Sequence, residues 1–259
     1  MNNVNAIAVL AYRDLMKFLR DKPRLISTFI FPFIFIVALG GSLQAGFGSD
    51  IGYNFMTFTF TGVFAQTLFQ SSTMGIISIM DDRDNDFSQE IFVSPISRYA
   101  IVFGKILGES LVALAQGIGI LAFAAVIGVP ISLPQMLIMI PIGIAICLVG
   151  GSFGLIIISN LANRRLADQI FPFVMLPQFF LAGVFSPIKR LPIYLDVLSH
   201  ISPMRYAVDL TRSLFYTGQP EYPKVVLDGV FINLIVMSAM FALFLVLGTY
   251  FFVRNERNR

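Results

Sequence analysis

The sequence predicts an all-α integral membrane protein with six transmembrane helices, and three observations carry that expectation. Of 259 residues, 56% are hydrophobic and 13% charged, with a mean hydropathy of +0.80, whereas soluble domains are about a quarter charged. The apolar residues fall in blocks rather than at a surface-helix period: Asp, Glu, Lys and Arg are missing from Leu25–Ser49, Ile51–Met80, Ser110–Asn163, Gln169–Ile188 and Gly229–Val253. A helix needs about 20 apolar residues to cross hydrocarbon, so the third block holds two spans, turned between Val129-Pro130 and Leu133-Pro134. Lipid offers the backbone no partner, and these blocks lack strand alternation and exceed a barrel strand in length. Helices are the remaining solution.

In chain order, residues 4–22 read as an interfacial amphipathic helix. Arg13, Lys17 and Arg20, with Asp14 and Asp21, recur every three or four residues, and Ile7, Leu10, Ala11, Leu15, Phe18 and Leu19 fill the rest. The helix anchors the chain at the headgroups; contact with a cytoplasmic partner is the sharper alternative. Spans follow at 25–47, 54–80, 101–128, 134–160, 168–186 and 226–253. The first is too long for a signal-peptide core and is kept as a permanent span. It carries Phe31-Pro32-Phe33, and the fifth carries Phe171-Pro172-Phe173, Pro177 and Phe179-Phe180. Proline frees a carbonyl and kinks a helix, which neighbours in a bundle compensate. Taken alone, these Phe-rich kinks are either packing surfaces or an adaptable substrate path. Gly117, Gly119, Gly143, Gly150, Gly151 and Gly154 are expected to let the third and fourth spans approach closely. The lone Cys147 lies within an apolar helix and forms neither an intramolecular disulfide nor a thiolate metal site.

Basic residues set the orientation. Arg13, Lys17, Arg20, Lys22, Arg24, Arg83, Arg98, Lys105, Arg164, Arg165, Arg254, Arg257 and Arg259 fall on one side, 13 of the 18. Both termini are therefore expected in the cytoplasm. Lys189, Arg190, Arg205, Arg212 and Lys224 fall in one external segment and call for a structural reason.

Two connecting segments carry more than turns. Residues 82–98 open with Asp81, Asp82, Asp84 and Asp86 around them, then mix Phe87, Ile91, Phe92 and Val93 with polar residues up to Ser94-Pro95. This suits a short amphipathic helix along the cytoplasmic face. The acidic run lacks the Gly and closing Glu of a calcium loop, so it reads as a solvated charge run and no metal is expected. Residues 187–222 are cut by Pro187, Pro192, Pro203 and Pro220, leaving short helices near Ile188–Ser199 and Met204–Tyr216. Arg205, Asp209 and Arg212 are spaced to interact along one face. A re-entrant pair on the outer side fits this pattern.

Gln89-Glu90-Ile91-Phe92-Val93-Ser94-Pro95-Ile96-Ser97-Arg98, followed by Gly104-Lys105, resembles the coupling-helix signature of type-2 ABC transporter permeases. Phe180-Leu181-Ala182-Gly183-Val184-Phe185-Ser186-Pro187, Leu191-Pro192 and Ile201-Ser202-Pro203-Met204-Arg205-Tyr206-Ala207-Val208-Asp209 resemble that family's fifth span and re-entrant helices, in its drug-exporter branch. The resemblance implies a homodimer, or a pairing with a related permease, seated on two ATPase subunits in the plasma or inner membrane, with no nucleic-acid partner. It implies that Phe87 and Gln89 to Pro95, with Arg98, Arg13 and Lys17, couple to the ATPase. It further implies that Phe31, Pro32, Phe33, Phe171, Pro172, Phe173, Pro177, Phe179 and Phe180 border the path, and that Pro187, Pro192, Pro203, Arg205, Tyr206 and Asp209 shape the re-entrant helices. Asp86 departs from the glycine common in that family. No G-x-x-x-x-G-K-[ST] motif occurs, since Gly104-Lys105 is followed by Ile106, so ATP and Mg are assigned to the partner chain.

Two other classes fit less well. An ion-coupled carrier needs ionisable groups within its spans, and the candidate is Glu109, which Lys105 can pair one turn earlier. A membrane hydrolase needs a nucleophile and a base, for which the chain offers one His, His200, with Asp196 four residues before it. The expected cargo is a hydrophobic or amphipathic small molecule, with a lipid-linked glycan as the alternative.

Overall fold

Helices satisfy the backbone nearly throughout the computed structural model, which describes residues 3–47, 52–84, 97–189 and 191–257. Helix α1 (Asn3–Arg20) ends at Asp21, whose carboxylate accepts the Arg24 N–H at 3.1 Å and so caps α2 (Lys22–Ile34). Pro32 has no N–H to offer. Three residues later the chain widens into a π-helical stretch, Phe35–Gly40, before α3 (Gly41–Phe47).

Asn54 caps α4 (Phe55–Gly75), and a short turn leads to α5 (Ser78–Asp84). Ser97 caps α6 (Arg98–Val126). Ser132 and Gln135 form a capping box on α7 (Leu133–Ile158), and Asn163 caps α8 (Arg164–Leu181). Beyond lie α9 (Ile193–Ile201), α10 (Pro203–Phe215), the single turn α11 (Tyr222–Val225) and α12 (Val230–Arg257). Proline thus marks the start of both short helices, Pro192 as the N-cap of α9 and Pro203 as the first residue of α10, where its fixed φ suits the first turn. No strand occurs among the described residues.

Four segments are long and apolar enough to cross a membrane: Lys22–Gly46, Arg98–Val126, Leu133–Ile158 and Tyr222–Asn255. Helices α4 and α8 fall outside that group for different reasons. Helix α8, 18 residues long, carries three charged residues in its first turns, Arg164, Arg165 and Asp168. Helix α4 is long, yet polar: Thr57, Thr59, Thr61, Gln66, Thr67, Ser72 and Thr73 are all buried along it. It can carry them because it lies inside the protein, packed on α6, α7, α10 and the π-helical stretch.

The expected glycine contact between the third and fourth spans is partly redirected. Gly150 and Gly154 of α7 face α4, where an added Cβ would run into Ser72, the Phe69 carbonyl and the Thr73 carbonyl. Gly117 of α6 also faces Phe64 and Leu68 of α4, and Gly119 faces Phe29 of α2. Gly151 and Gly143 do mediate α6–α7 packing, against Ile106 and Leu114. Small residues therefore gather around α4, because that helix is enclosed.

Helix α10 is buried at every position except Leu214. Its polar side chains bind protein groups rather than one another. Asp209 accepts the Leu227 and Asp228 N–H groups at 2.7 and 2.8 Å and the Asn233 amide at 2.8 Å, so it caps the start of the last hydrophobic segment. Arg212 donates to the carbonyls of Phe58 and Val184 and lies 3.6 Å over the Phe58 ring. Arg205 bonds Ser199 and approaches Asp228, and Tyr206 donates to the His200 carbonyl. Lys224 and Lys189 bind the carbonyls of Gly52 and Pro223. Four of the five basic residues that depart from the usual charge asymmetry, Lys189, Arg205, Arg212 and Lys224, therefore share a reason: they satisfy carbonyls, hydroxyls and carboxylates where the helices break, while Arg190 lies outside the described residues.

Candidate functional site

Two neighbouring cavities lie at the end of the bundle that holds α1 and α5. The larger, about 500 Å³, is lined by Arg24, Ser27, Thr28, Phe31 and Pro32 of α2, Thr67, Gln70, Ser71, Met74 and Gly75 of α4, Gln116 of α6 and Phe179 of α8. The smaller, about 330 Å³, shares Arg24, Met74 and Gly75 with it, and adds Asp14, Lys17, Ser78, Asp81, Glu109, Arg164 and Asp168. A charged vestibule therefore adjoins a pocket whose walls mix rings with hydroxyl and amide groups. Beyond Phe31, the ring of Phe35 meets that of Phe185 at 4.8 Å, joining the first hydrophobic segment to the turn after α8.

The Phe-rich kinks divide. Phe31, Pro32 and Phe179 line the cavity. Phe33 instead stacks on Phe123, their ring centroids 3.6 Å apart, and Phe171 is wholly buried in the core. Phe173 and Phe180 are exposed on α8, as are Pro172 and Pro177. Only part of each motif faces the pocket because a helix turns successive residues by 100°, about a third of a circle.

The polar lining escapes a reading that looks for rings and charges. Thr67, Gln70 and Ser71 recur at the three-to-four spacing of one helix face, within a block free of charge. That spacing is the available signal. Gln116 is 4% exposed, lines the cavity and has no hydrogen-bond partner among the described residues.

Next to the vestibule, an ionic junction fastens three elements. Lys105 of α6 reaches Asp14 of α1 at 3.0 Å and Asp82 of α5 at 2.6 Å. Arg13 binds Asp14 at 2.8 Å and Asp82 at 2.6 Å. Burial disfavours the Asp82 carboxylate, but Lys105 and Arg13 outweigh it and hold its pKa below the ordinary carboxylate range. Lys105 also donates to Ser78, which in turn donates to Glu109 at 2.8 Å. The expected Lys105–Glu109 pair is thus replaced by a hydroxyl relay, since Lys105 is drawn to two carboxylates on other helices. Arg164 binds Asp81, tying α8 to α5.

Arg13 therefore faces inward, whereas Lys17 is exposed at the vestibule. Arg98 opens α6. Phe87, Gln89, Glu90, Ile91, Phe92, Val93, Ser94 and Pro95 lie outside the described residues; what the structure provides is the stem on which they hang, α5 and the Ser97 cap. Pro187 follows the α8 turn, Pro192 and Pro203 start α9 and α10, and Arg205, Tyr206 and Asp209 hold them in place. His200 and Asp196 are both half exposed, and Arg205 lies near both. No cluster of three or more metal-ligating side chains occurs among the described residues.

The profile of the ABC-2 type transporter family matches residues 5–216. The chain is 24% identical over 216 residues to the putative transport permease ycf38 of Cyanophora paradoxa, covering 82% of this chain and 74% of that one. It is 24% identical over 208 residues to the inner membrane transport permease YadH of Escherichia coli K12, covering 78% and 79%. It is 30% identical over 145 residues to the probable multidrug ABC transporter permease YbhR of the same strain, covering 54% of this chain but 38% of that relative. With hydrophobic helices around an enclosed polar one, and a family match across most of its length, this chain belongs to the ABC-2 type transporter family, as the membrane subunit of an ABC transporter.

Proposed function

We propose that the chain is the membrane half of an ATP-driven exporter that moves a hydrophobic or amphipathic small molecule outward, powered by a separate ATPase. The observation that carries this reading is the cavity between α2, α4, α6 and α8, which brings Phe31, Pro32 and Phe179 together beside a charged vestibule. Counting α4 and α8 with the four longer hydrophobic segments gives six spans, with both termini cytoplasmic. Helices α9 and α10 form the external re-entrant pair, and the depth of α10 supports that placement.

Residues 82–98 dock into the ATPase groove, and two permease copies sit on two ATPase subunits. The ionic junction supports a mechanism: force applied at that loop enters α5, and Asp82 passes it to α1 through Arg13 and to α6 through Lys105. Those elements border the vestibule, and α6 also lines the larger cavity, so closure of the ATPase pair reshapes both, a two-state change biased by ATP. The multidrug name of YbhR supports a drug-like cargo.

The test is to co-purify the permease with its candidate ATPase in lipid and measure ATP turnover across a panel of amphiphiles. Stoichiometric association and one cargo class that alters turnover are expected. Normal transport after Glu90→Ala or Pro95→Ala, or no bound ATPase, sinks the reading.

A further inference from the structure

Charge around the vestibule is unevenly spent. Its carboxylates are all engaged: Asp14 by Arg13 and Lys105, Asp81 and Asp168 by Arg164, and Glu109 by the Ser78 hydroxyl. Two of its cations make no ion pair among the described residues, although Glu109 lies within electrostatic range of Arg24. Lys17 and Arg24 have no carboxylate within 4.0 Å among the described residues. Asp21, the acid nearest in sequence to Arg24, spends an oxygen on the Arg24 backbone N–H. The Arg24 guanidinium is steadied by the Phe18 ring, 5.6 Å away, and lines both cavities.

Within the larger cavity, the hydroxyls of Ser27 and Thr28 donate to the Arg24 carbonyl at 3.0 and 2.9 Å, so they offer acceptors to a ligand's polar neck rather than donors to its head. Gln116 and Thr67 are 4% and 9% exposed, and neither has a hydrogen-bond partner among the described residues. Their polar atoms open onto the cavity, where a ligand or water can meet them. Next to these groups, Phe31, Pro32 and Phe179 offer apolar wall.

We infer that the cavity selects an amphiphile with an anionic, hydrogen-bonding head, held by Arg24 and Lys17, with Gln116 bonding its polar neck and the tail lying along Phe31, Pro32 and Phe179. The inference deepens the exporter reading by naming the head chemistry of its cargo. A cationic head would meet two cations that make no ion pair among the described residues, and a purely apolar molecule would leave Gln116 without a partner.

The experiment uses the full chain in phosphatidylcholine nanodiscs, titrated calorimetrically with dodecyl phosphate, dodecyl maltoside and dodecyltrimethylammonium at neutral pH. Dodecyl phosphate should bind about tenfold more tightly than the maltoside, the scale of one charge-assisted hydrogen bond, and the ammonium should bind weakest. Arg24→Gln with Lys17→Gln should bring the phosphate to the level of the maltoside, and Arg24→Lys should retain the preference. Gln116→Leu should weaken phosphate and maltoside alike. Arg20→Gln and Lys22→Gln, on the same surface but outside both linings, should change nothing. Equal affinity for the three heads in the unaltered chain overturns the inference, as does a preference that survives the double substitution or is lost equally in the two controls. Because the unaltered chain alone tests the order of heads, misfolding of a variant leaves the result decisive. In phosphatidylglycerol discs, displacement of the phosphate probe identifies membrane lipid as an occupant, and undiminished binding identifies a free amphiphile; each supports the anionic site. The head order and the ATPase association are separate readouts, so either reading can fail alone.

Discussion

Lys105 of α6 and Asp14 of α1 meet at 3.0 Å, with only 3% and 6% of their side chains exposed. A buried pair of this kind fixes register more than it adds stability, because desolvation offsets most of the attraction. Its removal on one side is another matter, since a charge is then left in the interior.

Lys105→Met should therefore destabilise the protein by on the order of 3 kcal/mol, with Asp14 and Asp82 left to Arg13 alone. Adding Asp14→Leu should recover part of that loss. A double-mutant cycle in detergent, read by thermal unfolding, checks this; strictly additive losses would refute a coupled pair.

The same junction has a pH dependence of defined sign. Asp82 has a folded-state pKa below its unfolded value, so its contribution is present above the unfolded pKa, about 3.9. The contribution fades as pH falls through the lower, folded value. The unfolding temperature of the unaltered chain and of Asp82→Asn should differ by a constant amount from neutral pH to about 5 and converge only in stronger acid. Convergence near neutrality would count against the Asp82 contacts.

Gly154→Ala should cost about 1–3 kcal/mol through overpacking, because its Cβ would enter the Thr73 carbonyl of α4. Gly41→Ala meets nothing and should be neutral or stabilising by about 0.5 kcal/mol, as alanine favours a helix. Comparing the two unfolding temperatures separates close approach from a general intolerance of side chains.

Arg212→Lys should destabilise by about 2 kcal/mol, because a point-like ammonium cannot serve the Phe58 and Val184 carbonyls while stacking on the Phe58 ring. Equal stability of the two proteins would show that the guanidinium geometry is dispensable.

What the sequence disclosed divides along physical lines. Absence of charge is a composition signal, so the hydrophobic segments at α2, α6, α7 and α12 were legible, as were the proline starts of α9 and α10. The enclosure of α4 was not. A block rich in Thr, Gln and Phe looks alike whether it faces lipid or lies inside the bundle, and only the surrounding helices decide. Partner choice among buried ions was also hidden: Lys105 and Glu109 sit one turn apart, yet Asp14 and Asp82 approach Lys105 from distant positions in the chain. In the cavity, Phe31, Pro32 and Phe179 were visible as motif members. Gln116 and the face of Thr67, Gln70 and Ser71 needed three-dimensional placement to acquire meaning.

The enclosure of α4 bears on how the chain is made. A helix carrying Thr57, Thr59, Thr61 and Gln66 partitions poorly into bare lipid, and of the elements packed on it only the π-helical stretch precedes it closely, whereas α6, α7 and α10 are synthesised after it. It must therefore wait beside the insertion machinery, or shelter against α2, until they arrive. With α4 as one of the six proposed spans, nascent chains truncated before α6 should lose this segment from the bilayer, while chains extended past α7 should keep it.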